Sequence, residues 1–423
     1  MDPSSARVHR QGASKMMEQQ AAVGSAGLFR CIRLQNILSY GSEPVEIDAR
    51  GLNVLIGPNA SGKSNLIEVL SLLSAAPKDL QVPIREGGGV TDWLWKGGRG
   101  KSAAVVDVAL SHPGGPMALR YRLSFGAEGG RFALMDERVE NERAYQGHDE
   151  PYFYYAYQAG HPALNIKTES EENGGRSRRQ LRREDVSPDQ SILSQRRDPD
   201  TYPELTYLAS SLERMRFYRE WNFGRYTSPR LPQKADLPES DLLEDGSNLG
   251  LVLNNLLNRP DAKGPLIDRL RTLYDGIDDL ATKIQGGTVQ VFFHEKGLRQ
   301  PIPATRLSDG TLRFLCLLAV LCHPEPPPVV CIEEPELGLH PDILPTIAEM
   351  LVEASARTQL FVTTHSDILV DALSDEPEAI IVCERSEGGT RLRRVGRDGL
   401  APWLEKYRLG ELWTRGQIGG TRW

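Results

Sequence analysis

The octapeptide at residues 57–64 constrains the fold of this chain more than any other stretch. It reads Gly57-Pro58-Asn59-Ala60-Ser61-Gly62-Lys63-Ser64, matches the pattern G-x-x-x-x-G-K-[ST], and is followed by Asn65. The apolar run 52–56 before it predicts a short buried strand, and the leucine-rich run 65–73 after it predicts a helix. A glycine loop between strand and helix turns backbone N–H groups and a helix N-terminus toward phosphate oxygens. The segment therefore predicts a nucleoside triphosphate site.

Within this loop, two side chains have predicted roles. Lys63 would reach the β- and γ-phosphates, and the hydroxyl of Ser64 would coordinate magnesium. We therefore expect the whole stretch from Gly57 to Asn65 to contact the nucleotide, with ATP and Mg²⁺ as the cofactors.

A second apolar strand is predicted far downstream, at residues 329–332, and it ends in Glu333 and Glu334. If that strand lies beside the phosphate loop, Glu333 faces the magnesium ion, through a water molecule, since protein-bound magnesium keeps several waters. Glu334 then faces the γ-phosphate and can orient or deprotonate the attacking water. Taken alone, the two acids would fit an ordinary strand end, so this interpretation depends on the loop upstream.

Two further segments complete an ordered series. Leu307-Ser308-Asp309-Gly310-Thr311 precedes an apolar helix, which Ser308 or Asp309 can cap, while Gly310 keeps side chains clear of an approaching group. Leu360–Ser366 predicts a strand that ends at His365. Either segment alone would say little, and their order after the phosphate loop is what makes them candidates.

The order of phosphate loop, Ser308 segment, paired acids and histidine resembles the head domain of RecF/SMC/OLD-like, ABC-type ATPases. The run Phe29–Tyr40 resembles the first strand of those heads. Within the group, Leu307–Arg313, Glu333–Pro341 and Thr363–Ser366 are most similar to bacterial AAA-type ATPases of anti-phage defence systems, which are built on the SMC plan. The resemblance extends over about residues 28–385.

The resemblance implies an α/β fold, namely a P-loop ABC/SMC-like head with an antiparallel β lobe and an inserted helical lobe. No heptad repeat persists, so a long coiled-coil arm is not expected. We expect a disordered extension at 1–27 and the head at 28–423, with its nucleotide-binding core at 28–144 and 287–400. The insert, 145–286, would be mainly helical with a flexible basic loop at about 168–200, and 401–423 would form a C-terminal tail.

The resemblance also implies a mechanism. Two protomers would enclose ATP, with Ser308, Asp309 and Gly310 of one chain contacting the γ-phosphate held by the other, and with Glu334 and His365 as catalytic residues. Such a homodimer would act as a switch or sensor, in anti-phage defence, with a separate Toprim-like nuclease or toxin as effector. Two residues depart from the family pattern: Glu333 stands where aspartate is usual, and Asp309 stands where transporters have glycine.

Other interpretations stay open at this point. They are a RecF-like DNA-repair ATPase, an ABC transporter subunit and a nucleotide-locked scaffold. Arg176, Arg178, Arg179, Arg182 and Arg183 follow an aromatic run and fit either a site for single-stranded nucleic acid or a solvated loop. The tail, with Trp413 and Trp423, fits either a docking site for a partner or a segment folded back on its own head.

Composition narrows the class of protein. The net charge of −7 argues against a surface that binds nucleic acid throughout, although a local groove remains compatible with it. The five cysteines show no paired zinc spacing and suggest reduced thiols of a cytoplasmic protein. No apolar stretch long enough to cross a bilayer and no leader are recognised, so no membrane partner is expected. Met16 or Met17 could be the true start, and the order of oligomers above a dimer is open.

Overall fold

The computed structural model describes residues 27–98, 103–158, 161–167, 176–180, 186–404 and 406–420. These residues form two compact units that alternate along the chain. The first unit takes its residues from 27–51, 57–215 and 381–394, and the second from 52–56, 216–380 and 395–420. The predicted N-terminal extension, with Met16 and Met17, lies outside the described residues, as do Arg182, Arg183 and Trp423.

The first unit is built on an antiparallel sheet. With strands numbered along the whole chain, its members are β1 Phe29–Gln35, β2 Val45–Asp48, β4 Ala104–Leu110, β5 Leu119–Glu128, β6 Arg131–Asn141, β7 Phe153–Gln158, β8 His161–Lys167 and β9 Arg176–Gln180. Their order across the sheet is β2-β1-β4-β5-β6-β7-β8-β9. This sheet is the antiparallel β lobe that the sequence predicts.

Alternation of side chains explains why these strands form a sheet with one apolar face. Ala104, Val106, Val108 and Leu110 of β4 are buried, as their period of two requires. Asp107 points to the other face and is also buried, because Arg120 and Arg122 of the adjacent strand and Arg33 of β1 pair with its carboxylate. Cross-strand pairs of opposite charge of this kind stabilise a sheet.

Helices and one hairpin complete the first unit. The helices are α1 Lys63–Ala75, α2 Gln81–Glu86, α3 Val90–Trp93, α4 Ile192–Gln195 and α5 Pro203–Glu213. The hairpin joins β17 Ile380–Ser386 to β18 Gly389–Arg394 in antiparallel register. Helix α1 buries Leu66, Ile67, Leu70 and Leu73 on the apolar face that its sequence predicts.

The second unit contains a parallel sheet. Its strands are β3 Leu52–Ile56, β10 Arg216–Tyr218, β15 Val329–Glu333 and β16 Gln359–Thr363, in the order β10-β15-β16-β3. All residues of β3 and β16 are buried, which is typical of parallel strands covered on both faces. The carboxyl ends of these strands therefore meet at one edge of the sheet.

The remaining elements of the second unit are helices and a small antiparallel sheet. The helices are α6 Leu249–Asn258, α7 Pro260–Arg271, α8 Asp309–Leu321, α9 Leu344–Ser355, α10 Asp367–Ala372, α11 Arg397–Leu404 and α12 Leu409–Thr414. The sheet has β13 Thr288–Glu295 between β11 Gln233–Lys234 and β12 Ile277–Gln285, and β14 Ile302–Pro303 also pairs with β13. The longest helices of the described residues are α1 and α8, so no long coiled coil is present there, as predicted.

Residues 145–286 differ from the predicted, mainly helical insert. Strands β7, β8 and β9 extend the sheet of the first unit, because Tyr154 and Tyr155 of the aromatic run are buried on β7, with Tyr155 opposite Val139. The predicted basic loop is also partly regular. Arg176–Gln180 pairs with β8, and α4 buries Ile192 and Leu193.

The C-terminal segment folds back on its own unit. Helix α12 packs against α10, and the indole of Trp413 is buried while its Nε1 donates a hydrogen bond to the carbonyl of Gly420. Of the two interpretations of the tail, the structure therefore shows the folded-back one for Trp413. Among the residues that the structure describes, no helix has both the length and the apolarity to cross a membrane.

Candidate nucleotide site

The phosphate loop leaves β3 directly, with Gly57 following Ile56. Its backbone curls through left-handed conformations at Gly57 (φ 147°), Ala60 (φ 63°) and Gly62 (φ 101°). A Cβ at Gly62 would lie 2.4 Å from Oγ1 of Thr390, so glycine is required there for space as well as for backbone angle. The loop therefore has the curled form that the motif predicts.

Side chains from distant segments hold the loop in place. The Thr390 hydroxyl donates to the carbonyl of Ser61 (2.9 Å) and lies 2.7 Å from Oγ of Ser39. The buried Tyr40 hydroxyl donates to the carbonyl of Gly62 (3.1 Å). Sequence analysis does not predict these supports, because β18 is remote along the chain and its residues carry no motif.

The polar groups of the loop fit an anionic ligand. The ammonium of Lys63 is buried and donates to the carbonyls of Gly57 (2.8 Å) and Pro58 (3.1 Å). Oγ of Ser61 is buried, and within the described part of the chain it has no hydrogen-bond partner. The Ser64 side chain, in the first turn of α1, is exposed. A buried cation and an unsatisfied hydroxyl in one loop suit phosphate oxygens, and an exposed hydroxyl suits a hydrated magnesium ion.

In the second unit, the edge of the parallel sheet gathers the predicted acids and histidine. Glu333 is in register with Thr363, and Thr363 is in register with Leu55 of β3. Glu334 follows with φ 47°, a left-handed conformation that is unfavourable for glutamate. Its N–H donates to the carbonyl of Thr363 (3.0 Å), which stabilises this turn of the chain. Backbone strain of this kind is common at functional sites.

The structure brings Glu334 and His365 together. Nε2 of the histidine lies 3.8 Å from Oε1 of the glutamate, and both side chains are a little over one-third exposed. The two residues come from the ends of adjacent parallel strands, which explains how residues distant in sequence meet. Their carboxylate and imidazole can together orient one water or one phosphate oxygen.

Glu336 is a third acid at this edge. Its Oε1 accepts a hydrogen bond from the hydroxyl of Thr364 (2.7 Å) and another from the backbone N–H of His365 (2.8 Å). The carboxylate therefore fixes the segment that carries the histidine. In the sequence Glu336 lies within the family-like segment 333–341, but no role is indicated for it.

Glu333 has a basic neighbour. Nε of Arg219, the residue directly after β10, lies 3.5 Å from Oε1 of Glu333. Strand β10 is parallel to β15, so its carboxyl end delivers the arginine to the same edge of the sheet. The predicted magnesium-side acid thus has its charge balanced by a group that the sequence does not reveal.

The Ser308 segment forms the N-terminus of α8. Ser308 is the N-cap, and its Oγ accepts a hydrogen bond from the N–H of Thr311 (3.0 Å). Asp309 instead pairs with Arg230, so of the two predicted caps the serine is the one used. A Cβ at Gly310 would lie 2.7 Å from the carbonyl of Gly338, so only glycine fits this approach.

The predicted residues are thus arranged in three groups. The loop residues 57–65 lie in the first unit, whereas Glu333, Glu334 and His365 lie at the sheet edge of the second. Ser308, Asp309 and Gly310 form the first turn of a helix in that second unit. Arg219, Arg230 and Glu336 are the neighbours that sequence reasoning missed, since each acts through a contact that only the fold creates.

A protein-family profile matches residues 52–371, more than half of the chain. The family is described as "AAA domain, putative AbiEii toxin, Type IV TA system". The match spans the phosphate loop, the paired acids and His365. No curated protein matches the chain.

Solved structures with the same fold include SMC head domains. One is an SMC head bound to the C-terminal winged-helix domain of ScpA, 14% identical, with TM-score 0.55, covering 88% of this chain and 99% of that one. A second is the SMC head of Pyrococcus furiosus, which has an extended coiled coil and is bound to the C-terminal domain of ScpA. It is 13% identical, with TM-score 0.54 and coverage of 90% and 99%.

A third is the SMC head of Pyrococcus yayanosii, with a coiled coil and joint. It is 12% identical, with TM-score 0.50 and coverage of 90% and 99%. At these identities the likeness concerns the fold alone. The resemblance stated from the sequence is confirmed in family and in fold class.

Proposed function

The chain belongs to the AAA domain family described above, and from that premise we propose that it is an ATPase that dimerises around ATP and acts as a molecular switch. The observation that carries the proposal is the pair of Glu334 and His365, 3.8 Å apart at the carboxyl edge of a parallel sheet. Strand β3 of the same sheet continues directly into the phosphate loop. A carboxylate and an imidazole at such an edge suit the orientation of water for attack on a γ-phosphate.

Each residue has a distinct part in this proposal. The backbone of residues 57–65 and the Lys63 ammonium would bind the phosphates, while Ser64 and Glu333 would hold magnesium. The ion, when bound, neutralises charge on the β- and γ-phosphates. Glu334 accepts a proton from the attacking water or orients it, and His365 donates a hydrogen bond toward the γ-phosphate. Positioning and charge stabilisation supply most of the rate in phosphoryl transfer.

The Ser308 segment provides the contact between protomers in our proposal. In the structure Ser308 and Asp309 are exposed and Gly310 is half-buried, and a helix N-terminus carries partial positive charge. We propose that this turn of one chain completes the site on the loop of its partner. Hydrolysis then requires dimer closure, which makes the protein a switch.

The biological setting that we propose is a defence system with a toxin or nuclease supplied by a separate protein. The family description, which names a toxin of a toxin–antitoxin system, supports the defence setting, and the separate effector follows from the resemblance stated from the sequence. Purification of the native complex from the host, with identification of what accompanies it, tests this part. An accompanying membrane transporter or replication protein would contradict it.

The enzymatic part is tested by steady-state hydrolysis of ATP by the purified chain, with and without DNA. We expect magnesium-dependent release of phosphate that Lys63→Ala abolishes by preventing ATP binding. Glu334→Gln should still bind ATP, stall hydrolysis and accumulate a closed dimer. Normal ATP affinity of the lysine variant would refute the loop assignment, and normal turnover of the glutamine variant would place the catalytic base elsewhere.

A further inference from the structure

Arg230 contacts the first turn of α8, although no sequence motif points to it. Its guanidinium donates to the carbonyl of Phe223 (2.8 Å), to the carbonyl of Leu307 and to the carboxylate of Asp309. The Arg230 side chain is only 10% exposed, whereas that of Asp309 is 72% exposed. The mostly buried guanidinium of Arg230 therefore pairs with the solvent-exposed carboxylate of Asp309.

Stability of the fold does not explain this pair. An ion pair whose acid is so exposed contributes little to folding, because water screens it. The two carbonyl hydrogen bonds already satisfy part of the buried guanidinium. The serine cap and the intrahelical bonds hold the helix end without Asp309.

A functional requirement explains the Arg230–Asp309 ion pair better. If the turn of Ser308 and Gly310 faces the γ-phosphate of a partner protomer, the adjacent carboxylate of Asp309 would repel that phosphate. We propose that Arg230 is a positioning residue that neutralises Asp309 and holds its carboxylate away from the phosphate, so that an acid is tolerated where transporters have glycine. This inference rests on the function proposed above, and it names the residue that makes the composite site work.

A second contact fixes the same segment on the helix. The guanidinium of Arg313, one turn further along α8, lies 5.6 Å from the ring centroids of both Trp221 and Phe223. The segment 219–230 therefore contacts α8 at two points, through Arg230 at its C-terminal end and through the rings of Trp221 and Phe223 near its start. These contacts fix the position of the segment on α8, and thereby the position from which the Arg230 side chain reaches Asp309.

The inference is tested by a double-mutant cycle for ATP-dependent dimerisation. The background is Glu334→Gln, in which hydrolysis is stalled, and the variants are Arg230→Met, Asp309→Asn and the combination of both. Dimerisation constants are measured by analytical ultracentrifugation with MgATP, and ATP binding by the monomer is measured separately at low protein concentration. Arg225→Met is the matched control, because Arg225 is an exposed arginine of the same segment.

We expect Arg230→Met to weaken dimerisation by about tenfold or more, since an uncompensated carboxylate then faces phosphate. Arg225→Met should stay within about twofold of the background. Adding Asp309→Asn to Arg230→Met should restore dimerisation to within about threefold of Asp309→Asn alone, because the repelling charge is gone.

Two results with the Arg230 variants would overturn this inference while leaving the composite site intact. If Arg230→Met dimerises as strongly as the Glu334→Gln background, Asp309 needs no partner. A loss that persists in the double variant would show that Arg230 serves only the local fold. Absence of an ATP-dependent dimer in the Glu334→Gln background would instead refute the composite site itself, and this inference with it.

Discussion

At the scale of single residues, the Glu336 carboxylate determines where His365 lies. It accepts hydrogen bonds from the Thr364 hydroxyl (2.7 Å) and from the His365 N–H (2.8 Å). Glu336→Ala should therefore lower kcat by about tenfold or more with little change in KM, because small displacements of catalytic groups are costly. The measurement is steady-state ATP hydrolysis.

The conservative variant Glu336→Gln separates positioning from charge. Its amide oxygen can accept the same two hydrogen bonds, so it should retain most of the wild-type kcat. If the glutamine variant is as slow as the alanine variant, the negative charge of Glu336 matters, and the positioning role is wrong.

A second residue-scale prediction concerns Glu137 of β6, which is fully buried. Its carboxylate accepts hydrogen bonds from the hydroxyls of Tyr121 and Ser191 and from the N–H of Ile192, and it thereby attaches α4 to the sheet. Burial raises the pKa of Glu137 from 4.5 to about 7, against the lowering effect of those hydrogen bonds. Between these two pH values the folded chain keeps a proton that the unfolded chain loses.

The free energy of unfolding should therefore fall as pH rises from about 4.5 to 7, with a contribution from Glu137 of at most about 1.4 kcal/mol per pH unit. Glu137→Gln should remove this contribution, and Glu150→Gln, at an exposed site, should keep it. Denaturant unfolding of the three proteins at several pH values provides the measurement. Parallel pH profiles for all three would contradict a titrating Glu137.

The sequence predicts the site residues that stand in motifs but not those that support them from distant segments. Spacing identifies the phosphate loop, the paired acids and His365 because each stands in a motif with a strand or helix beside it. It does not identify Arg230 or Thr390, which act on residues 79 and 329 positions away, respectively. Side chains that serve a site from a distance carry no local pattern, and only the tertiary fold reveals them.

At the scale of elements, the contact between α10 and α12 depends on Gly410. A Cβ at this position would lie 2.4 Å from the carbonyl of Asp367 and 2.8 Å from Cβ of Asp371. Gly410→Ala should force the helices apart and destabilise the protein by about 1–3 kcal/mol, the usual cost of overpacking. Thermal unfolding measures the cost, and faster hydrogen exchange in residues 367–372 would locate it.

Gly396→Ala is the matched control, because a Cβ there would meet no atom within 4 Å. It should change stability by less than about 0.5 kcal/mol. Equal stability of the two alanine variants would show that α12 does not pack closely on α10. Since α10 begins directly after His365 and Ser366, this contact also determines how firmly the histidine segment is anchored.

Elements were predictable where periodicity was strong. The apolar runs 52–56, 65–73 and 329–332 predict a strand, a helix and a strand, and the structure has β3 at Leu52–Ile56, α1 at Lys63–Ala75 and β15 at Val329–Glu333. The sequence does not predict strands β7 to β9, because an aromatic run and an arginine-rich run show no clear alternation of apolar and polar residues. Their extended form depends on pairing with β6, a non-local interaction.

At the scale of the whole molecule, the family and the fold class could be predicted because four short segments occur in a fixed order. The alternation of the chain between two compact units could not. Strand β3 belongs to one unit and the loop that follows it to the other, and no change in composition marks this point. Only the pairing of β3 with β16, more than three hundred residues away in sequence, assigns the strand to the second unit.

The proposed closure around ATP predicts that thermal stability depends on protein concentration when nucleotide is present. A ligand that binds only the folded state stabilises it, by about 2.7 kcal/mol at a hundredfold excess over Kd, and dimerisation adds a term that grows with protomer concentration. For Glu334→Gln with MgATP, we expect Tm to rise, and to rise further as protein concentration increases.

Two further substitutions separate ATP binding from dimerisation. Adding Ser308→Arg should keep the rise in Tm that ATP binding causes but abolish the rise with protein concentration, because the arginine blocks the partner surface while the phosphate loop is intact. Adding Lys63→Ala instead should abolish both. Calorimetry over a fiftyfold range of concentration distinguishes these cases, and a concentration-independent Tm for Glu334→Gln would contradict an ATP-dependent dimer.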